Sequence, residues 1–207
     1  CWIHGYFTLS SDRRNLAVEG FGGETKQTWE MRWNSHLLSL AAECLAESIH
    51  QLTAKPIASR RDEAGFYALW PVPNKVSTQI KPITDPFFEY VVGQELRILW
   101  SQRSRWVNLS SACFVKAKAG TTAPGSVPLP DCALPTDVID SLLVDEDLVM
   151  VDSALTDELK KGSERLSTEP PVFMSVDLVA RVLKRRAAAT TVGHAVPLQT
   201  VLPTIVN

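Results

Sequence analysis

At 207 residues, with 45% hydrophobic and 21% charged side chains, the chain is long enough to bury a core, as one large or two small domains, and has ordinary globular usage. A net charge of −2 supplies no basic field for nucleic acid, and no stretch approaches the roughly 18 apolar residues of a membrane span, which argues against both kinds of partner. Cys1, Cys44, Cys113 and Cys132 are scattered, form no C-x-x-C pair and read as reduced thiols of a cytoplasmic protein rather than disulfides or zinc ligands.

The chain opens on Cys1 without an initiator Met or a signal-peptide pattern, so it is expected to be a segment of a longer polypeptide. Residues 2–9 are rich in aromatic and β-branched side chains, with Tyr6 and Thr8 alternating with Gly5, Phe7 and Leu9 as in a half-buried strand. Ser10, Ser11 and Asp12 are turn residues, and they lead directly into Arg13 and Arg14. Two adjacent guanidiniums at a strand end can read an anion: each keeps its charge when desolvated and offers forked donors matched to phosphate or carboxylate. Their partner is a nucleotide, an acidic protein surface or a neighbouring Asp. Gly20, Gly22 and Gly23 follow, but without a Walker Lys-Ser/Thr they read as a connector rather than a phosphate cradle.

Asn34 is expected to cap a helix running to about Leu52, with Leu38, Ala41, Ala42, Leu45, Ile49 and Leu52 forming its apolar stripe. Lys55-Pro56 ends it, and Arg60-Arg61-Asp62-Glu63 reads as a solvated charge cluster before the short apolar run 66–71. Asp85-Pro86 launches a second helix through Phe87, Phe88, Val91 and Val92, weakened or ended at Gly93. Residues 97–100 and 106–109, separated by a polar stretch, predict a hairpin with its tryptophans packed across it. Asn108-Leu109-Ser110 matches the glycosylation tripeptide, a short and frequent pattern given no weight without a secretory signal.

From Lys116 to Asp131 the composition shifts to Lys, Ala, Gly, Thr, Ser and Pro, marking a linker. Beyond it, Thr136 caps a short helix, Leu148 to Val151 read as a buried strand, and Leu155 and Leu159 mark a further helix with an Asp157–Lys161 pair. A strand at 172–174 leads into a helix over 175–186 with Val176, Val179, Ala180 and Leu183 inward. Lys184, Arg185 and Arg186 complement the dipole at its C-terminus. The expected fold class is α+β, with mixed sheets and packed helices in two subdomains: 1–118 carrying the arginine loop, 119–131 as linker, and 132–207 as a smaller α/β unit with an irregular tail.

No self-contained catalytic constellation stands out. His4, His36, His50 and His194 have no metal-ligand spacing, there is no G-x-S-x-G elbow, and Cys44 and Cys113 lack the flanks of a nucleophile. Asp145-Glu146-Asp147 lacks the alternation and Gly of a calcium loop and reads as a solvated turn.

Residues 5–16, GYFTLSSDRRNL, resemble the G-Y-F-A-L-S-S-x-R-R signature of sacsin-type repeats, where such a segment follows a GHKL ATPase module. Trp33-Asn34, the run Phe66-Tyr67-Ala68-Leu69-Trp70-Pro71, Ile98-Leu99-Trp100 and Arg105-Trp106-Val107 are similar to further landmarks of that repeat, in order. The resemblance spans about residues 2–186 and is strongest before 116. It implies a module like the middle domain of ninety-kilodalton heat-shock chaperones, in which a Leu-x-x-Ser-Arg-Glu loop carries an arginine back to the ATP γ-phosphate. Arg13 matches that arginine and Arg14 is the runner-up, although Asp12 stands where the chaperones have Ser and Arg14 where they have Glu. The nucleotide pocket belongs to the preceding domain, because neither an N-x-x-D/E-x-x-x-N helix nor a G-x-G lid is present. The resemblance thus implies no enzyme activity and no cofactor in this segment, with ATP and Mg bound upstream. Its partners would be that ATPase domain and protein clients or co-chaperones.

Overall fold

The computed structural model describes residues 5–10, 16–17, 28–115 and 146–190. They form five α-helices and a five-stranded mixed sheet, an α+β fold.

The helix α1 spans Trp29–Leu52 and starts earlier than the cap expected at Asn34. Thr28 is the N-cap, its hydroxyl accepting from the Met31 N–H at 3.4 Å, and Glu30 favours the positive end of the dipole. The Glu30 carboxyl is held below its usual range by its own backbone N–H and the Thr28 hydroxyl. The buried stripe runs Met31, Asn34, Leu38, Ala42, Ala46 and Ile49, while Leu52 at the helix end is exposed. Of residues 60–63, Arg61 and Asp62 are exposed to solvent as expected, whereas Glu63 is buried. They open α2 (Arg60–Tyr67), because Ser59 caps it by accepting from the Asp62 N–H at 3.2 Å and donating to the Asp62 carboxylate at 2.6 Å. A 3-10 turn over Lys81–Ile83 runs into α3 (Thr84–Gly93), which buries Phe87, Phe88, Val91 and Val92.

Strands β1 (Leu99–Ser101) and β2 (Arg105–Val107) make the expected hairpin, with Trp100 opposite Trp106 and their rings 4.9 Å apart. The turn closes through Ser104, whose φ of 55° and N–H donated to the Ser101 carbonyl at 2.9 Å suit a short bulged hairpin loop. Helix α2 docks on this hairpin: Phe66 meets Trp106 at 4.7 Å, and the Tyr67 hydroxyl accepts from the Trp100 N–H at 2.8 Å. Burial pushes the Tyr67 phenol well above its ordinary pKa, so it stays a neutral partner of that N–H.

Strands β3 (Ala112–Phe114), β4 (Asp147–Val149) and β5 (Val172–Phe173) complete one sheet in the order β2-β1-β4-β3-β5; β3 is parallel to β4 and β5, and β1 is antiparallel to β4. Between β4 and β5 lies α4 (Ser153–Leu166), and after β5 comes α5 (Val176–Thr190). Both faces of the sheet are covered. Ala112, Phe114 and Val149 face a core shared with α1, α2, α3 and α4, whereas Cys113, Val115 and Leu148 face Met174 and α5. This is the alternation of a strand buried on both sides.

Strands from both sides of residues 119–131, the linker expected between two subdomains, share one sheet and both cores. Residues 119–131, the helix expected after Thr136, the glycines at 20, 22 and 23 and the tail after 190 lie outside the described residues. Three smaller corrections follow from burial. Asp147 is a strand residue, 5% exposed, not part of a solvated turn. Lys161 pairs with the buried Glu158 at 2.5 Å rather than with Asp157. Among the described side chains of α5 the buried positions are Leu178, Val179 and Val182, with Ala180 and Leu183 half-buried.

Helices α3 and α4 approach so closely that a glycine is needed between them. A Cβ added at Gly162 would stand 3.1 Å from the Phe88 carbonyl oxygen and 3.2 Å from its carbon, backbone atoms that cannot rotate away. Gly162→Ala is expected to lose about 1–3 kcal/mol by overpacking, against a helix-propensity gain of about 1 kcal/mol. A lower urea midpoint with unchanged m-value is the expected result; a higher one would show that the helices part without strain.

Candidate functional site

The arginine loop stands on a stem that the structure describes on both sides. Leu9 and Leu16 form an isolated antiparallel bridge, and the Ala17 N–H donates to the Thr8 carbonyl at 3.0 Å. Of the strand expected over 2–9, only this bridge is present among the described residues. Arg13 and Arg14, the two candidate site residues, fall between the bridged positions and lie outside the described residues.

What anchors the stem is α1. Asn34, one turn into the helix and 0% exposed, donates from Nδ2 to the Thr8 carbonyl at 2.6 Å and to the Ala17 carbonyl at 2.9 Å, while its Oδ1 accepts from the Thr8 N–H at 2.8 Å. One amide thus joins both arms of the stem to the helix, and every group on it is used. Trp33 adds a bond from its Nε1–H to the Tyr6 carbonyl at 2.9 Å. Apolar burial in the stem is uneven: Tyr6 is 93% exposed and Leu9 is exposed, whereas Phe7, Leu16 and Ala17 are half-buried.

Asn34 is therefore an anchor of the stem and not the cap expected from the sequence. A signal for this is present in the chain: Asn34 lies three residues after Met31 and four before Leu38, on the stripe that α1 buries, and a buried amide must find partners. Which backbone it meets is not a property of α1 itself.

The remaining candidates are not drawn together. His36 and Cys44 stand exposed on α1, and His50 faces Glu47 at 3.8 Å on the same helix. His4 and His194 lie outside the described residues. Burial pushes the Cys113 thiol up to about 12, helped by the charge of Glu146, which leaves it inert as a nucleophile near neutral pH. Among the described residues no three His, Cys, Asp or Glu side chains cluster in a way that could hold a metal ion, and no helix is long and apolar enough to cross a membrane.

Two other features lie away from the stem. A cleft of about 330 Å³ opens where β3, β4 and β5 end, lined by Val115, Val151 and Phe173 and by Ser153, Thr156 and Lys160 of α4. Its buried hydroxyl, that of Thr156, is already donated to the Asp152 carbonyl at 3.0 Å. Asp147 receives Arg105 in a two-pronged pair, Nε to Oδ1 at 2.7 Å and Nη2 to Oδ2, and the Ser101 hydroxyl at 2.9 Å. That pair ties the hairpin to β4. No protein-family model matches the chain, no curated protein matches it, and no solved structure matches it.

Proposed function

We propose that the chain is a non-catalytic segment of a sacsin-like chaperone repeat, coupling a preceding GHKL ATPase to client handling. In this reading Arg13, or failing it Arg14, reaches the γ-phosphate of ATP held with Mg by that preceding domain. The segment's partners are that domain and protein clients or co-chaperones, in the cytoplasm. The observation that supports it best is the stem. Thr8 and Ala17, on either side of the arginines in the chain, are both fastened to α1 by one buried amide. An arginine that arrives only when domains dock stabilises charge on the transferring phosphoryl group and links hydrolysis to shape change.

The purified chain is expected to release no phosphate from ATP; turnover abolished by a single substitution within it would sink the assignment. In the protein that includes the ATPase, Arg13→Ala is expected to lower hydrolysis far more than nucleotide binding, with the melting temperature preserved. A fully active Arg13→Ala protein would remove the arginine role.

The second reading is a scaffold or protein-interaction module without a nucleotide role, its arginines engaged in structural ion pairs. It is favoured by what Arg105 and Arg165 do. Arg105 holds Asp147, and Arg165 bridges Asp85 at 2.8 Å and Glu89 at 3.4 Å, stapling α4 to α3. If Arg13 and Arg14 behave likewise, their removal lowers thermal stability and leaves hydrolysis per folded molecule unchanged.

A further inference from the structure

We propose that the cleft at the carboxyl ends of the parallel strands binds a small zwitterion with an apolar side chain, of which a free apolar amino acid is the simplest case. The place follows from topology. Strands β4, β3 and β5 lie side by side and parallel, so their carboxyl ends share one edge of the sheet. At that edge the chain leaves β4 for α4 on one face, where Leu155 and Leu159 join the larger core, and leaves β5 for α5 on the other, where Leu178, Val179 and Val182 join the smaller. Connections that part to opposite faces open a crevice outside the strand ends, which is where sheets of parallel strands take up ligands. The cleft of about 330 Å³ lies there and reaches the size of a small-molecule site.

Its lining is of two kinds. Val115, Val151 and Phe173 are buried or half-buried and supply apolar surface. Ser153, Asp157 and Lys160 recur at four- and three-residue steps along α4, so they share one face of that helix, and all three are exposed. Asp157 and Lys160 carry opposite charges on neighbouring positions and do not pair with each other. Lys160 turns instead to Glu164 at 3.8 Å, both side chains more than half exposed, and Asp157 makes no ion pair among the described residues. An exposed bridge of that kind contributes little and gives way to a better partner.

Simpler ligands fit less well. An anion would need the first-turn N–H groups of α4, but Asp152 takes them: its carboxylate accepts from Ala154 at 3.1 Å and its carbonyl from Leu155 at 3.0 Å and Thr156 at 3.1 Å. The charges of Asp152 and Asp157 oppose an anion further, and Lys160 opposes a lone cation. An amino acid answers both charges with its own. Its ammonium goes to the Asp157 carboxylate and the Ser153 hydroxyl, its carboxylate to Lys160, and its side chain to Val115, Val151 and Phe173. The Thr156 hydroxyl, donated to the Asp152 carbonyl, takes no part. The cleft stands apart from the stem, so its ligand is the same under either reading of the arginines.

The test is a titration of the 207-residue chain, followed by amide shifts in NMR spectra, with L-phenylalanine, phenylpropanoate, which lacks the ammonium, and phenethylamine, which lacks the carboxylate. L-Phenylalanine is expected to bind with Kd of about 1 mM, ordinary for a ligand of about a dozen non-hydrogen atoms, and to shift Val115, Ser153, Asp157 and Phe173 while leaving Val91 of α3 in place. Each one-charge analogue is expected to bind about ten-fold more weakly. Asp157→Asn and Lys160→Gln, at exposed positions, are expected to keep the wild-type spectrum elsewhere and to weaken L-phenylalanine about ten-fold each. Asp157→Asn should also erase the preference over phenylpropanoate, and Lys160→Gln that over phenethylamine. Equal binding of the three compounds would leave an apolar crevice without charge recognition and overturn the proposal. So would shifts centred away from the cleft, no binding at concentrations well above 1 mM, or variants that bind L-phenylalanine as the wild type does.

Discussion

Phe88→Ala is expected to cost about 3–5 kcal/mol, among the largest losses open to a single core substitution. Phe88 is 0% exposed and sits where three elements meet: its ring lies 5.2 Å from Phe87 and 5.9 Å from Trp70, and its carbonyl forms the floor beneath Gly162 of α4. The void cannot close by side-chain adjustment alone, because α4 is already at the limit of approach to that backbone. In a chain of this size each kcal/mol shifts Tm by about 2–4 °C, so a fall of about 10 °C is expected in thermal unfolding followed by near-UV circular dichroism. Tyr6→Ala, at a side chain 93% exposed, serves as the contrast and is expected to stay within about 0.5 kcal/mol of wild type. A Phe88→Ala loss no greater than that of Tyr6→Ala would show that α3 is not the centre of the core.

Arg105→Ala is expected to destabilise the protein more than Asp147→Asn does. The asymmetry comes from where each charge lies. The Asp147 side chain is 6% exposed and that of Arg105 is 54% exposed, so removing Arg105 leaves a buried carboxylate with the Ser101 hydroxyl and the more distant charge of Arg103, whereas removing the carboxylate leaves a guanidinium that water can reach. The Asp147 carboxyl is held below its usual range first by the Arg105 hydrogen bonds, then by the Ser101 hydroxyl, against the opposing effect of burial. A folded-state pKa below the unfolded value of about 3.9 means that this group's contribution is fully present above that pH. It is lost as pH falls from there through the depressed folded value. The deficit of Arg105→Ala relative to wild type should accordingly be greatest near neutrality and shrink below about pH 4, as read from urea midpoints across that range. Equal losses for the two variants, or a deficit independent of pH, would show that the pair contributes no more than an exposed bridge.

Much of the fold was legible from residue order because it depends on neighbours in the chain. The body of α1 follows from apolar residues at three- and four-residue steps, the hairpin from two apolar runs around a polar turn, and β5 and α5 from a short apolar strand before an amphipathic stretch. The tryptophan pair followed as well, since a hairpin register of Leu99 with Val107 sets Trp100 opposite Trp106. The start of α1 was not legible in the same way, because an Asn near a helix beginning is commonly a cap, and here Thr28 holds that place.

What residue order determined, then, is the local conformation of these helices and the hairpin; Arg13 and Arg14 lie outside the described residues. Tertiary structure alone decided who meets whom. Parallel pairing of β3 with β4 joins segments on either side of residues 116–145, and the pairing of Ser101 with Val149 brings Asp147 beside Ser101 and Arg105, turning an acidic run into a buried ion pair. In the same way Asn34 acquires its role from Thr8 and Ala17. Helical periodicity shows that a side chain is buried; only the packing of distant segments settles which polar groups it must satisfy there.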